Sequence, residues 1–304
     1  MKRNILFLFI FFLFVIQGFI INKSNVDNNP DKYVLSTVGM IHDIVSNLLP
    51  SDVDKKLLLP AGTDPHVYVP TIQNINDFNN AEVIYSIGLD LEAQMHPALL
   101  SLSKTKPVYF LGEQLDTTTL IADGEMFDPH VWFDLDLFSL IVDEVANSLI
   151  LNYPDYQSEI LTNSLSYKQT LDELDVYASE KFSTLDPSQK WIVTTHDAFS
   201  YFARKYDFSV FTLKGVNTAS DYSLYDKQKM KEIILENSLK AIFIEDSVSN
   251  KDLLSVLEDV NNAGLSTRIG GYLYADSLGS SDSGLDTFES MFKYNVDTIF
   301  NALN

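Results

Sequence analysis

Between Pro154 and Pro187 the chain runs without a glycine or a proline: DYQSEILTNSLSYKQTLDELDVYASEKFSTL, residues 155–185. Those two residues are the ones that break or bend helices, so their absence over this length argues for one uninterrupted helix. Pro154 suits a first helical turn, and Asp186-Pro187 stops the run. Ile160, Leu161, Leu165, Leu171, Leu174, Ala178, Phe182 and Leu185 recur mostly every three or four positions, which predicts the stripe that the helix buries. Some thirty residues at about 1.5 Å each make a rod of roughly 45 Å, longer than one small domain needs. It reads as a connector with a folded unit at each end.

On both sides of the rod, strand-like and helix-like segments alternate. YVLSTV, KKLLLP, VIYSIG and PVYFLG precede it as short apolar runs. Between them MIHDIVSNLL, TIQNINDFNNA and LDLEAQMHPALLSL have helical spacing, and a loop over 113–128 leads to a helix over 135–151. After the rod, WIVTT, FSVFTL, AIFIE and STRIGG read as strands, separated by AFSYFARKY, DKQKMKEIILENS and KDLLSVLEDVNNAG, with a last helix running to Leu303. Such alternation predicts an α/β fold in which each unit holds a parallel sheet flanked by helices. The expected division is an N-terminal lobe over 32–153, a connecting helix over 154–186 and a C-terminal lobe over 187–304.

The first 22 residues stand apart. Lys2 and Arg3 precede an apolar run from Ile5 to Ile16 that resumes as far as Ile21, the pattern of an export signal or an N-terminal anchor. Export to the periplasm or the outer face of the cytoplasmic membrane is the expectation. With no cysteine anywhere, disulfides, thiolate metal sites, cysteine nucleophiles and lipid attachment through an N-terminal Cys are all excluded. The formal charge, 21 − 42 = −21, argues against nucleic acid, which needs a basic face. It suits a cationic ligand, and equally a soluble self-repelling surface.

Five histidines are present, and two share one box: TDPHVYVP carries His66 and FDPHVWFD carries His130. His66 lies just past the predicted strand KKLLLP, and His196 directly follows WIVTT. Asp276 lies in the loop after the last strand. Ligands of such sheets bind beyond the carboxyl ends of strands, so these four residues can converge only through the fold. Imidazole nitrogens with one carboxylate suit zinc, and also manganese or iron. Asp64, Asp128, Asp134 and Asp197 lie within four residues of a candidate histidine and could orient its ring. Glu245, closing AIFIE, is a strand-end carboxylate expected to support the site without ligating. Trp132 and Tyr68 are expected to wall it from water. His42 and His96 read as helix-surface residues. Unrelated surface histidines are the alternative that these residues alone leave open.

The order LLPAGTDPHVYVPT, AEVIYSIGLDLE, FDPHVWFD, VTTHDAFSYFARKY, GVNTAS, AIFIED and GGYLYADSLG resembles the zinc/manganese-binding solute receptors of ABC importers, in the TroA-like branch. The likeness runs from about Tyr33 to the C-terminus. It implies a metal held between the two lobes by His66, His130, His196 and Asp276, and delivery of that metal to a membrane permease by a monomeric receptor. His196 stands where manganese-selective relatives often carry glutamate, which favours one zinc ion, with manganese as the alternative. The segment 113–128 lacks the histidines that zinc-specific relatives often carry there. A surface adhesin and a zinc hydrolase are the rival functions. Neither HExxH nor GxSxG occurs, and no adhesive repeat or cell-wall anchor is seen, so a binding protein rather than an enzyme is expected.

Overall fold

The computed structural model describes residues 32–304, and the expected leader or anchor at 1–22 lies outside them. The first half contains β1 (Val34–Ser36), α1 (Gly39–Leu48), β2 (Lys55–Leu57), α2 (Ile72–Asn80), β3 (Val83–Ser86), α3 (His96–Leu102) and β4 (Val108–Phe110). The strands form one parallel sheet in the order β2-β1-β3-β4, with Val34 opposite Lys55 on one side and Val83 on the other. Val-Leu-Ser of β1 and Val-Ile-Tyr-Ser of β3 are buried throughout, as central strands covered on both faces must be. Strand order reverses between β1 and β3, and in such sheets the ligand crevice lies beyond the carboxyl ends at that point.

Two local differences from the sequence reading have clear causes. The helix expected over 89–102 begins only at His96, because Gly88, Leu89 and Asp90 all take left-handed backbone angles and Pro97 suits the first helical turn. Within the loop expected over 113–128 sits a small hairpin, β5 (Ala122–Asp123) and β6 (Met126–Phe127). Of its two turn residues only Gly124 has a positive φ, +63°, the requirement of a type II′ turn. Strands of two residues are too short to declare themselves by alternation.

Beyond the hairpin come α4 (Leu135–Asn152) and, after a 3-10 turn at Pro154–Tyr156, the rod α5 (Gln157–Phe182). Its 26 residues span about 39 Å. The buried face is Ile160, Ser164, Tyr167, Leu171, Leu174, Ala178 and Phe182. Leu161 and Leu165, expected in that stripe, are 44% and 68% exposed. Each lies one residue, about 100° around the helix, from the row that faces inward, and Ser164 and Tyr167 occupy the row instead. The rod packs on α1 and α4.

The second half contains β7 (Trp191–Thr194), α6 (Ser200–Tyr206), β8 (Ser209–Thr212), α7 (Leu224–Glu236), β9 (Ala241–Glu245), α8 (Lys251–Asn262), β10 (Arg268–Leu273) and α9 (Phe288–Leu303). β7 pairs with β8 and β9 with β10, both parallel, and β7 runs beside β9. The register of β10 shifts between Ile269 and Gly271; at Gly270 a Cβ would stand 2.6 Å from the Phe243 ring, so only glycine fits. The class is therefore α/β, with parallel sheets flanked by helices. The rod also packs on α9 and so touches both halves.

Aromatic side chains join the halves into one apolar cluster. Phe133 and Phe138, ahead of the rod, lie with ring centroids 4.7 Å from Phe199 and 4.4 Å from Phe288, both beyond it. Phe202 sits centrally, 5.6 Å from Phe182 of the rod and 6.1 Å from Phe292 of α9, and is fully buried. Phe202→Ala is expected to destabilise the protein by about 3–5 kcal/mol through lost transfer energy and the cavity left behind. Urea unfolding checks this as a lower midpoint at an unchanged slope.

Candidate metal centre

The repeated Asp-Pro-His box is a repeated turn. Asp64 Oδ1 accepts the backbone N–H of His66 at 2.9 Å, and Asp128 Oδ1 accepts that of His130, also at 2.9 Å. An aspartate bonding its own backbone two residues on, with proline between, presets the chain direction at each histidine. From there the two boxes diverge. Asp64 turns its other oxygen to the Thr218 hydroxyl at 2.7 Å, in the second half, whereas Asp128 also takes the His130 Nδ1 at 2.7 Å.

His196 comes two residues beyond β7 and is tied from the neighbouring strand end. Glu245 Oε1 accepts the N–H groups of Thr195 at 2.7 Å and His196 at 3.0 Å, while Oε2 pairs with His196 Nδ1. Asp276 follows β10 in a loop held by Asp246, which accepts the Ala275 N–H at 3.3 Å and the Ser277 hydroxyl at 2.6 Å. Trp132, fully buried beside the His130 ring, donates its indole N–H to the Ala275 carbonyl at 3.2 Å. It thereby sets the separation of the His130 and Asp276 segments as well as excluding water.

These four residues meet at one buried point. One donor atom from each of His66, His130, His196 and Asp276 lies within 4.8 Å of all the others. His66 Nε2 is 3.4 Å from His130 Nε2; the Asp276 carboxylate is 3.1 Å from His130 Nε2 and 3.3 Å from His196 Nε2. None is more than 2% exposed.

The charges follow from this packing. Burial pushes His66 down to about 3, with the neighbouring histidines adding to the effect against a partial offset from Asp276. Burial also disfavours the His130 cation, but Asp128 and Asp276 together outweigh it and hold that ring up at about 9. His196 stands well above the ordinary histidine value for the same reason: burial opposes, and Glu245 with Asp276 prevails. Burial opposes ionisation of Asp276 too, yet His196 and His130 hold its carboxyl well below the usual range. Each outer Nδ1 of His130 and His196 faces a carboxylate, which leaves each Nε2 to point inward as a lone pair once its proton is lost. Three imidazole nitrogens and a carboxylate around one buried point are a donor set for a divalent transition metal.

Of the supporting acids named from sequence, Asp128 and Glu245 face a candidate histidine ring, and Asp64 reaches only the backbone N–H of His66. Asp134 does not: it caps α4 by accepting the N–H groups of Asp136 and Leu137, and it pairs with Arg204 at 2.8 Å. Asp197 accepts the Ser200 hydroxyl at 2.7 Å. Closeness in sequence misdirects here, because a residue four positions along or at a helix cap points where its own element sends it. Tyr68 donates to Asn74 at 2.8 Å, and the His96 ring packs at a tilt against Phe110, centroids 5.2 Å apart. Sequence reasoning missed Asp246 and Thr218; in AIFIED the glutamate closes a strand and draws attention, while the next aspartate bears no mark of its task.

The sequence profile of ZnuA, described as zinc-uptake complex component A periplasmic, matches residues 34–302. The chain belongs to this family. It is 37% identical over 271 residues to the zinc-binding protein TroA of Treponema pallidum, covering 89% of this chain and 88% of TroA. Identity to the manganese-binding lipoprotein MntA of Bacillus subtilis is 31% over 305 residues, the whole of both chains. The solved periplasmic zinc-binding TroA of Treponema pallidum superposes with a TM-score of 0.87 over 89% of this chain and 98% of that one, at 37% identity. Fe(III)-bound YtgA from Chlamydia trachomatis gives 0.81 at 27% identity, over 90% of this chain and 98% of that one.

For this ZnuA-family protein the charge pattern fixes a pH dependence. A divalent ion needs neutral imidazoles, and without one His130 keeps its proton below about pH 9. Affinity for the ion is therefore expected to weaken as pH falls from 9 toward 6, by about tenfold per pH unit for each proton displaced. His66, already neutral above about pH 3, adds nothing in that range. Calorimetry in buffers of different ionisation enthalpy measures the protons released. Asp128→Asn removes a hydrogen-bonding carboxylate from His130, and a loss of about 10–100-fold in affinity is expected.

Proposed function

We propose that this protein is the extracytoplasmic substrate-binding component of an ABC importer, that it captures one divalent transition-metal ion at His66, His130, His196 and Asp276, and that it hands the ion to a membrane permease. The observation that carries the reading is the convergence of those four buried donors, with the His130 and His196 rings backed by carboxylates. The metal is cargo. Four protein donors surround it, so no coordination position is reserved for an attacking water, and binding rather than hydrolysis follows. Nothing in the relatives favours adhesion as the primary role.

Zinc is the ion that the donor set favours, since three nitrogens and one oxygen make a tetrahedral site directly. Manganese prefers more oxygen, and only the second oxygen of Asp276 could supply it among the four residues. Relatives named for zinc, manganese and iron share this fold, so affinity order and availability select the ion as much as the ligands do. Residues 32–153 and 187–304 are read as two lobes around the connector at 154–186. The shared aromatic cluster resists wide opening between them, which supports release by small shifts around the site. Export is read from the apolar segment at 1–22. MntA is a lipoprotein by name, whereas the sequence of this chain holds no cysteine. Among the described residues no helix is long and apolar enough to cross a membrane.

Chelator-stripped protein titrated separately with zinc and manganese should bind one ion per chain by calorimetry, zinc the more tightly. His130→Ala should abolish tight binding of both while leaving thermal unfolding of the ion-free protein cooperative. Failure of the parent protein to bind either ion tightly would overturn the reading.

A further inference from the structure

All four donors are buried, so an ion can reach them only where one wall yields. The walls are not equal. His130 is backed by Asp128, His196 by Glu245, and the Asp276 loop by Asp246 and Trp132. His66 is different: its Nδ1 is buried without a hydrogen-bond partner among the described residues, so no hydrogen bond to the ring's outer side fixes its rotation.

His66 also lines a cavity of about 170 Å³. Its wall includes Leu89 and Asp90 from the loop after β3, Asp123 and Met126 from the hairpin, and Asn217 from the second half. Leu89 and Asp90 are held at φ +52° and +66°, an arrangement that side-chain-bearing residues rarely adopt in succession. Buried Glu92 pins this loop by accepting the N–H groups of Ile87 and Gly88, both at 3.0 Å. Asp90 and Asp123 are exposed, so two carboxylates stand at the opening. A larger cleft of about 810 Å³ lies near the Asp276 loop, lined by His42, Ser277, Ser280 and Asp286, but by none of the four donors.

We propose that the ion enters and leaves past His66 through the smaller cavity, with His66 as the ligand that turns aside and Asp90 and Asp123 as the carboxylates that draw the cation in. This rests on the metal-receptor reading. Carboxylates at the mouth of a cavity raise the local concentration of a divalent cation and so its association rate, while the affinity stays with the four ligands. His66 turns by giving up only its inward contact with His130 Nε2 at 3.4 Å, whereas turning either other ring would leave behind the buried carboxylate on its outer nitrogen.

Stopped-flow mixing of the full chain with zinc, and of the zinc-loaded chain with excess chelator, tests the route. Met126→Trp and Asn217→Trp, which add bulk at the cavity, are each expected to slow binding and release together by about tenfold with the equilibrium affinity little changed. Asp90→Asn with Asp123→Asn should slow binding alone by several fold at low salt, and the difference should vanish near 1 M salt, where screening reaches about 3 Å. Ser280→Trp, in the larger cleft, should leave both rates unchanged. If Ser280→Trp slows exchange and the cavity variants do not, or if none of them alters either rate, the route is wrong although the receptor reading stands. Absence of one-to-one binding in the parent protein overturns both.

Discussion

Two buried imidazole–carboxylate pairs, His130 with Asp128 and His196 with Glu245, are what the rest of the structure is arranged to hold. A charged or strongly polar group taken out of water is tolerated only when paired and hydrogen-bonded, and loss of one partner typically costs about 3–5 kcal/mol. Both carboxylates meet that condition by also accepting backbone N–H groups, so each pair is anchored to the chain as well as to its ring. The pairing has a chemical consequence. It aims the inner nitrogen of each ring at a common point, and it sets the two raised imidazoles against three carboxylates, their own and Asp276.

The surrounding fold supplies the anchoring points. Glu245 and His196 arrive at the site because β9 and β7 lie side by side and end together. His66 and His130 come from loops of the first half, and each crosses to the second: Asp64 through Thr218, and the His130 segment through Trp132 and through Tyr201, whose hydroxyl donates to the Asp128 carbonyl at 2.8 Å. Behind these polar links the aromatic cluster around Phe202 packs residues from before and after the rod against each other. A site assembled from both halves keeps its geometry only if the halves keep theirs, and close-packed aromatic rings resist continuous deformation. Of the three rings, His66 is the one with no carboxylate against its outer nitrogen.

Features with a short physical range were legible in the sequence. The two Asp-Pro-His turns need only a side chain reaching its own backbone two residues on. The strand and helix alternation and the glycine- and proline-free rod are likewise local patterns. The four donors could be picked out because each sits just beyond an apolar strand or in a duplicated box. Illegible were the identities of the supporting groups. Asp128 and Asp134 both flank His130, yet one orients the ring and the other caps a helix and pairs with Arg204. Leu161 and Leu165 looked like core, and only the rotation of the rod against α1 and α4 turned them outward.

By itself, then, the sequence determined the alternating α/β plan, the continuous helix between its halves, and the four residue types able to hold a cation, because periodicity, turn chemistry and strand ends act over a few residues. Tertiary structure decided that the four donors share one buried point, that Glu245 backs His196 across 49 positions, and that His66 opens on a cavity. Such contacts depend on which strand ends lie together and how far each loop turns. Those are settled by packing among elements distant along the chain, for which no short stretch carries a mark.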